Sequence, residues 1–266
     1  MTSLSLSQKK VITLFNQNKN IFITGPGGVG KSYVINYIKD LAELDDKKIY
    51  ITATTGSAAS LISGKTIHSW AGIGMGEQPV EILLKSIKKK FALRNRWKYT
   101  KVLVIDEISM MSGSLFTKLN IIAQTLKCSS QPFGGIQLIL SGDFYQLPPI
   151  CKDGEPDFCF QSEAWNQCID EMVVLDQNMR QKNPEFQNML LEIRKGELSK
   201  GTKKFLKERA KLTYDPNSDI QPTIIYTTRN KVDEINFKRM KLLNKEVSKY
   251  TVKTVLSGIK KSQISQ

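Results

Sequence analysis

The sequence predicts an α/β fold whose centre is a mostly parallel β-sheet covered by helices on both faces. Three observations carry that expectation. Apolar or β-branched runs recur near Asn20–Thr24, Lys48–Ala53, Lys101–Ile105, Ile136–Ser141 and Met172–Leu175, with longer helix-like stretches between several of them; such alternation marks helices crossing between parallel strands. A glycine-rich segment stands directly between the first run and a helical pattern that begins at Tyr33. The segments bearing polar chemistry follow Thr24, Ala53, Ile105 and Ser141, which places them at the carboxyl edge of an open sheet, where ligands bind.

The first of these segments, Gly25, Pro26, Gly27, Gly28, Val29, Gly30, Lys31 and Ser32, reads GPGGVGKS. Its glycines let backbone N–H groups close around phosphate oxygens, Lys31 can reach the β- and γ-phosphates, and the Ser32 hydroxyl is placed to ligate Mg²⁺. A nucleoside triphosphate is therefore the first ligand to expect.

The third run, VLVIDE from Val102 to Glu107, delivers two adjacent carboxylates to the same edge. Asp106 is the candidate Mg²⁺ carboxylate and Glu107 the candidate base or orienter of an attacking water. Acidic residues also commonly end strands, so the pair gains its meaning from the phosphate loop upstream. The fourth run leads into SGDFYQLPP, Ser141 to Pro149. The Gln146 amide there can sense the terminal phosphate or the attacking water; taken in isolation, the segment reads more readily as a proline-stiffened turn than as a sensor.

Beyond these motifs the pattern is helical from about Pro184 to Lys211, followed by a TYDPNSD connecting loop, a strand at Thr223–Thr227 and a helix from about Lys231 to Leu243. The basic run Lys85–Lys98 surrounds an apolar stripe of Leu83, Ile87 and Phe91. An amphipathic helix with a solvated face is its simplest reading, and an electrostatic groove for nucleic acid the sharper one.

The 266 residues carry 39 Lys and Arg against 25 Asp and Glu, a formal charge of +14. That excess favours a polyanionic partner, with a solvated basic surface as the plain alternative. The four cysteines show no C-x-x-C spacing, and the single histidine, His68, is near none of them, which argues against zinc and against a disulfide framework. No apolar run approaches the length of a membrane span. A soluble, intracellular protein is expected, with its compartment open.

Taken together and in order, LSLSQ (Leu4–Gln8), GPGGVGKS, TATTGSAA (Thr52–Ala59), GKTIHSWAGIG (Gly64–Gly74), DEISM (Asp106–Met110), PFGGIQLILSGDFYQLPP (Pro132–Pro149) and LDQNMRQ (Leu175–Gln181) resemble the Pif/RecD-like helicases of superfamily 1, most closely the Pif branch. The resemblance implies a RecA-like ATPase domain over residues 1–175. Residues 176–266 would hold a fourth-motif arginine, a helical connector and the start of an incomplete second RecA-like domain. It implies ATP and Mg²⁺ as cofactors, and an ATP-dependent DNA helicase moving 5′ to 3′ in replication, repair or recombination.

The same resemblance assigns roles that spacing does not. Gln8 is similar to the glutamine that reads adenine, and Arg180 to the arginine that stabilises charge on the γ-phosphate from across the cleft between two motor domains. Thr55, Gly56, Ser57, Thr66, His68 and Ser69 resemble the segments that grip the backbone of single-stranded DNA, and short hydroxyls and N–H groups suit that task. Trp70 could stack a base, although core packing fits a tryptophan better. Single-stranded DNA and DNA junctions are the expected partners, with a second motor domain supplied in cis or in trans and a monomeric state otherwise. Two later family motifs are absent, and the Lys261, Ser262, Gln263 likeness in the tail reads as chance. A non-catalytic, nucleotide-dependent nucleic-acid-binding module is the competing reading, and an RNA-directed motor a third.

Overall fold

The computed structural model describes residues 4–151, 154–215, 218, 222–243, 248 and 250. Six strands form one sheet: β1 (Ile21–Thr24), β2 (Ile49–Ala53), β3 (Lys65–Thr66), β4 (Val102–Asp106), β5 (Gln137–Gly142) and β6 (Glu171–Val174), in the order β3-β2-β4-β5-β1-β6. Every pairing is parallel, with Ile21 opposite Ile139, Ile49 opposite Val102 and Val102 opposite Gln137. The expected parallel α/β architecture is present. β3 has two residues, too few to leave a periodic signal, and the sequence pattern does not reveal it.

The helices are α1 (Leu6–Asn16), α2 (Lys31–Leu44), α3 (Gly56–Leu61), α4 (Ile67–Ala71), α5 (Val80–Lys89), α6 (Phe91–Tyr99), α7 (Gly113–Lys127), α8 (Glu163–Cys168), α9 (Pro184–Lys195), α10 (Lys200–Arg209) and α11 (Arg229–Leu242). Successive strand residues point to opposite faces, and this divides the core. On one face Ile21, Ile23, Val102, Val104 and Ile139 pack against α1 and α2 through Val11, Phe15, Val34 and Ile38. On the other, Phe22, Leu103, Ile105, Leu138 and Leu140 meet Trp70, Trp97, Phe116 and Trp165. Each such fully buried apolar side chain contributes about 1.5–3 kcal/mol, so a strand buried on both sides needs the continuous apolar run seen in VLVI. Trp70 belongs to this core, 4.5 Å from Trp97 between ring centroids, as its packing reading anticipated.

Four local expectations are corrected. The helical stretch from Pro184 to Lys211 is two helices, because Gly196 takes the left-handed conformation (φ 76°) that closes α9. The basic run is also two helices, broken at Lys90 (φ −104°, ψ 101°). That break takes Phe91 off the Leu83–Ile87 stripe and leaves it 68% exposed. Thr223–Thr227 pairs with no strand among the described residues; its Ile225 is exposed, and an unpaired extended segment gains no ladder hydrogen bonds.

Two compact units divide the chain, one ending at Glu208 and the other starting at Arg209. Residues 176–208 thus fall within the same unit as the sheet. In the second unit α11 presents a solvated surface laced by Lys238 to Glu234 at 2.7 Å. The tail around Lys261, Ser262 and Gln263 lies outside the described residues.

Candidate functional site

The glycine-rich loop joins β1 to α2 at the carboxyl edge of the sheet. Three of its glycines, Gly25, Gly28 and Gly30, take left-handed backbone conformations, and at Gly25 (φ 141°) a Cβ would also come within 2.3 Å of the Leu175 carbonyl oxygen. Gly28 (φ 85°) lies where a Cβ would come within 2.8 Å of Arg180 Cβ, and Gly30 (φ 86°) where one would come within 2.7 Å of Gln8 Nε2. The loop is thereby in contact with both residues that family resemblance singled out from distant segments. Val29 is buried in the core and anchors the loop, while Ser32 is exposed in the first turn of α2.

Lys31 curls back over the loop, its ammonium donating to the Gly25 carbonyl at 2.7 Å and the Pro26 carbonyl at 3.0 Å. Burial pulls its pKa below the ordinary lysine value, while the neighbouring carboxylates of Asp143, Glu107 and Asp106 act in the opposite direction. Four charged groups from three different strand ends are therefore within electrostatic reach of one another.

Asp106 is the last residue of β4 and nearly buried. Glu107 follows in the left-handed conformation (φ 53°, ψ 42°), a strained state for a residue with a side chain. Burial first, and then the charges of Asp106 and Asp143, push its carboxyl above the usual glutamate range against the opposing Lys31. The Glu107 carbonyl accepts a hydrogen bond from Thr54 Oγ1 at 2.9 Å, and Thr54 N donates to the Asp106 carbonyl at 3.2 Å. Sequence reasoning did not single out Thr54, although its position directly after β2 was a usable signal.

Asp143 sits just past β5 with 1% of its side chain exposed. Arg194, near the end of α9, grips it with two bonds, Nε to Oδ2 at 2.8 Å and Nη2 to Oδ1 at 2.6 Å. Gln146 Nε2 donates to the same Oδ2 at 3.1 Å, and Tyr145 N to Oδ1 at 3.2 Å. Burial alone would raise the Asp143 carboxyl, but the Arg194, Gln146 and Tyr145 hydrogen bonds outweigh it and hold the group below its usual range. Arg194 carried no sequence signal: it lies 51 residues from its partner, inside an ordinary helical pattern. A cavity of about 270 Å³ opens here, lined by Pro26, Gly27, Asp143, Gln146, Arg180 and Arg194 among others.

Arg180 is exposed, and its segment is laced to the loop by Met179 N donating to the Gly28 carbonyl at 2.8 Å. On the other side of the loop, a cavity of about 540 Å³ is lined by Gln8, Gly30, Tyr33 and Met179 among others. The Gln8 amide is already engaged: Oε1 accepts from Ser5 N at 3.0 Å, and Nε2 makes a long contact to the Val29 carbonyl at 3.5 Å.

Thr55 and Thr66 lie at neighbouring strand ends, since Ala53 pairs with both Thr66 and Asp106. Both hydroxyl oxygens cap short helices, Thr55 accepting from Ala58 N at 3.2 Å and Thr66 from Ser69 N at 3.3 Å. The Thr55 and Ser57 hydroxyls share a hydrogen bond at 3.3 Å, and Gly56, Ser57 and Ser69 are exposed beside these caps. His68 is half-buried, and burial holds its ring below the ordinary histidine pKa, so it is neutral at pH 7. This group lies along the same sheet edge as the glycine-rich loop.

A family model described as PIF1-like helicase matches residues 3–204. The chain is 43% identical over 248 residues to the ATP-dependent DNA helicase PIF1 of Emericella nidulans, covering 91% of this chain and 33% of that protein. Among solved structures, the Pif1 helicase from Candida albicans superposes with a TM-score of 0.85 at 39% identity, over 92% of this chain and 56% of that one. Pif1 helicase from Bacteroides in complex with ADP-AlF3 and ssDNA gives 0.78 at 27% identity, over 93% and 59%. The chain thus spans about a third of the length of the curated relatives that head these matches.

Proposed function

The chain belongs to the PIF1-like helicases, and from that premise we propose that it is an ATP-hydrolysing motor domain that acts on DNA 5′ to 3′, with a second motor domain supplied in cis or in trans. The observation that carries the reading is the convergence of Lys31, Asp106, Glu107 and Asp143 on one strand edge around a glycine loop. The Bacteroides relative, crystallised with ADP-AlF3 and ssDNA, supports the same pairing of ligands here.

In this reading Lys31 exchanges its two loop carbonyls for the β- and γ-phosphates, while Tyr33, Met179 and Gln8 enclose the base. The residues fit Mg²⁺: Ser32 offers an exposed hydroxyl, and no hydrogen bond from the described residues reaches the Asp106 carboxylate. No cluster of three or more metal-binding side chains occurs among the described residues, which suits an ion held mainly by phosphate oxygens and water. When bound, that ion neutralises charge on the phosphates. Glu107 orients the water and takes its proton as oxygen bonds to the γ-phosphorus and the bond to ADP breaks. Its raised pKa suits this task. Gln146 contacts the terminal phosphate, and Arg180 stabilises the charge that develops on it. Thr55, Gly56, Ser57, Thr66, His68 and Ser69 hold a single strand through its backbone. Stepping needs two domains that close and open around ATP, so unwinding requires the partner domain.

Lys31→Ala is the test. Hydrolysis should fall to background while affinity for single-stranded DNA stays within about 3-fold, because phosphate-loop and strand contacts are separate. Surviving hydrolysis would refute the assignment. Nucleotide binding without turnover, even with a second motor domain added, would favour a non-catalytic nucleic-acid-binding module. Competition between matched DNA and RNA strands separates the two polymers.

A further inference from the structure

Arg194 lies outside every motif that the proposed function uses, yet it is held on two sides. Its guanidinium meets the buried Asp143 carboxylate through two parallel bonds and lies 4.4 Å above the Tyr145 ring. Such fork-to-carboxylate pairs are the strongest and most directional of protein ion pairs. Asp143 in turn receives the Gln146 amide on the oxygen that Arg194 Nε occupies. The orientation of the glutamine is thereby set by the arginine at one remove.

Helix α9 gives the pair its second consequence. None of its side chains is fully buried, so hydrophobic packing holds it weakly and polar ties must do the rest. At its start, Gln187 Nε2 bonds the Gln181 carbonyl, just after Arg180. Near its end, Arg194 is bonded to Asp143. The helix between them lends Gln187, Leu190, Leu191 and Arg194 to the cavity that Gln146 and Arg180 also line.

We infer that Arg194 is a positioning residue for hydrolysis: by clasping Asp143 it holds Gln146 aimed into the phosphate cavity and fixes α9 as a wall of the cavity that Arg180 also lines. This rests on the reading of the cavity as the γ-phosphate end of an ATP site. Lysine cannot reproduce the function, because one ammonium cannot make two parallel bonds to a carboxylate.

The full chain with Arg194→Lys, and separately with Asp143→Asn, tests this by two measurements. Amide hydrogen exchange without nucleotide should quicken together in residues 143–147 and 184–195, by about 5-fold or more, while β1 and β4 stay protected. Single-turnover ATP hydrolysis with single-stranded DNA should slow by about 10-fold to 100-fold, as small misplacements at a reacting centre do, with nucleotide Kd within about 3-fold of the parent. Exchange unchanged in either segment would overturn the inference. So would faster exchange with an undiminished hydrolysis rate, since that leaves the pair merely structural. A parent chain that binds ATP and never hydrolyses it would sink the functional reading, and the exchange comparison would then decide the clasp by itself.

Discussion

The Thr54 hydroxyl donates to the Glu107 carbonyl at 2.9 Å, joining the segment proposed to grip DNA to the residue proposed to activate water. Glu107 is the strained position of this edge, and Thr54 helps to hold it there. Thr54→Val, which keeps the shape and deletes the donor, should cost about 1 kcal/mol of stability and weaken DNA stimulation of hydrolysis more than basal hydrolysis. Thr54→Ser should restore both. Denaturant unfolding together with ATPase titrations against single-stranded DNA reads the two effects.

Glu107 should give the rate its acid limb. Its carboxyl is raised by burial and by the neighbouring Asp106 and Asp143 charges, so hydrolysis is full above the raised pKa and falls as pH drops through it, at a higher pH than an ordinary glutamate allows. Glu107→Gln should remove this limb and slow hydrolysis by about 10²-fold or more. It should also raise the melting temperature at pH 7, because the folded state no longer has to hold an unfavoured charge. A pH–rate profile and a thermal melt at pH 7 check these outcomes.

Asp143 behaves in the opposite sense. Its folded pKa is depressed, so its stabilisation is complete above the unfolded value of about 3.9 and is lost as pH falls through the lower folded value. Asp143→Asn leaves Arg194 without a charged partner in a half-buried place and should cost about 3 kcal/mol at pH 7. The gap between parent and variant should close in acid. Urea midpoints at several pH values follow that closing.

The cysteines divide into two classes. Cys159 and Cys168 are buried, with burial pushing each thiol up to about 12, whereas Cys128 and Cys151 are exposed. A thiol reagent at pH 8 should label Cys128 and Cys151 in the native protein and reach the other pair only on unfolding. Peptide mapping of the labelled chain identifies which thiols reacted.

Much of the candidate site was legible in the residues because glycine-rich loops and strand-end carboxylates are written locally. GPGGVGKS needs its flanking strand and helix, and both were readable from adjacent apolar patterns. The break at Gly196 was also available, since a glycine at the end of an apolar-periodic stretch is a common helix stop, although the apolar spacing resumes beyond it. Phe91 misled for a different reason: its spacing from Ile87 holds only in an unbroken helix, and Lys90 interrupts it.

What the sequence by itself determined was the chemistry of each strand end, because a strand, a turn and the hydroxyl or carboxylate that follows are set within about ten residues of chain. Tertiary structure decided which ends meet. The order β3-β2-β4-β5-β1-β6, the packing of Gln8 and Arg180 against Gly30 and Gly28, and the clasp of Arg194 on Asp143 all join segments far apart in the chain. Such contacts form once burial on both faces of the sheet has offset the entropy of closing long loops, and no window of residues records that balance.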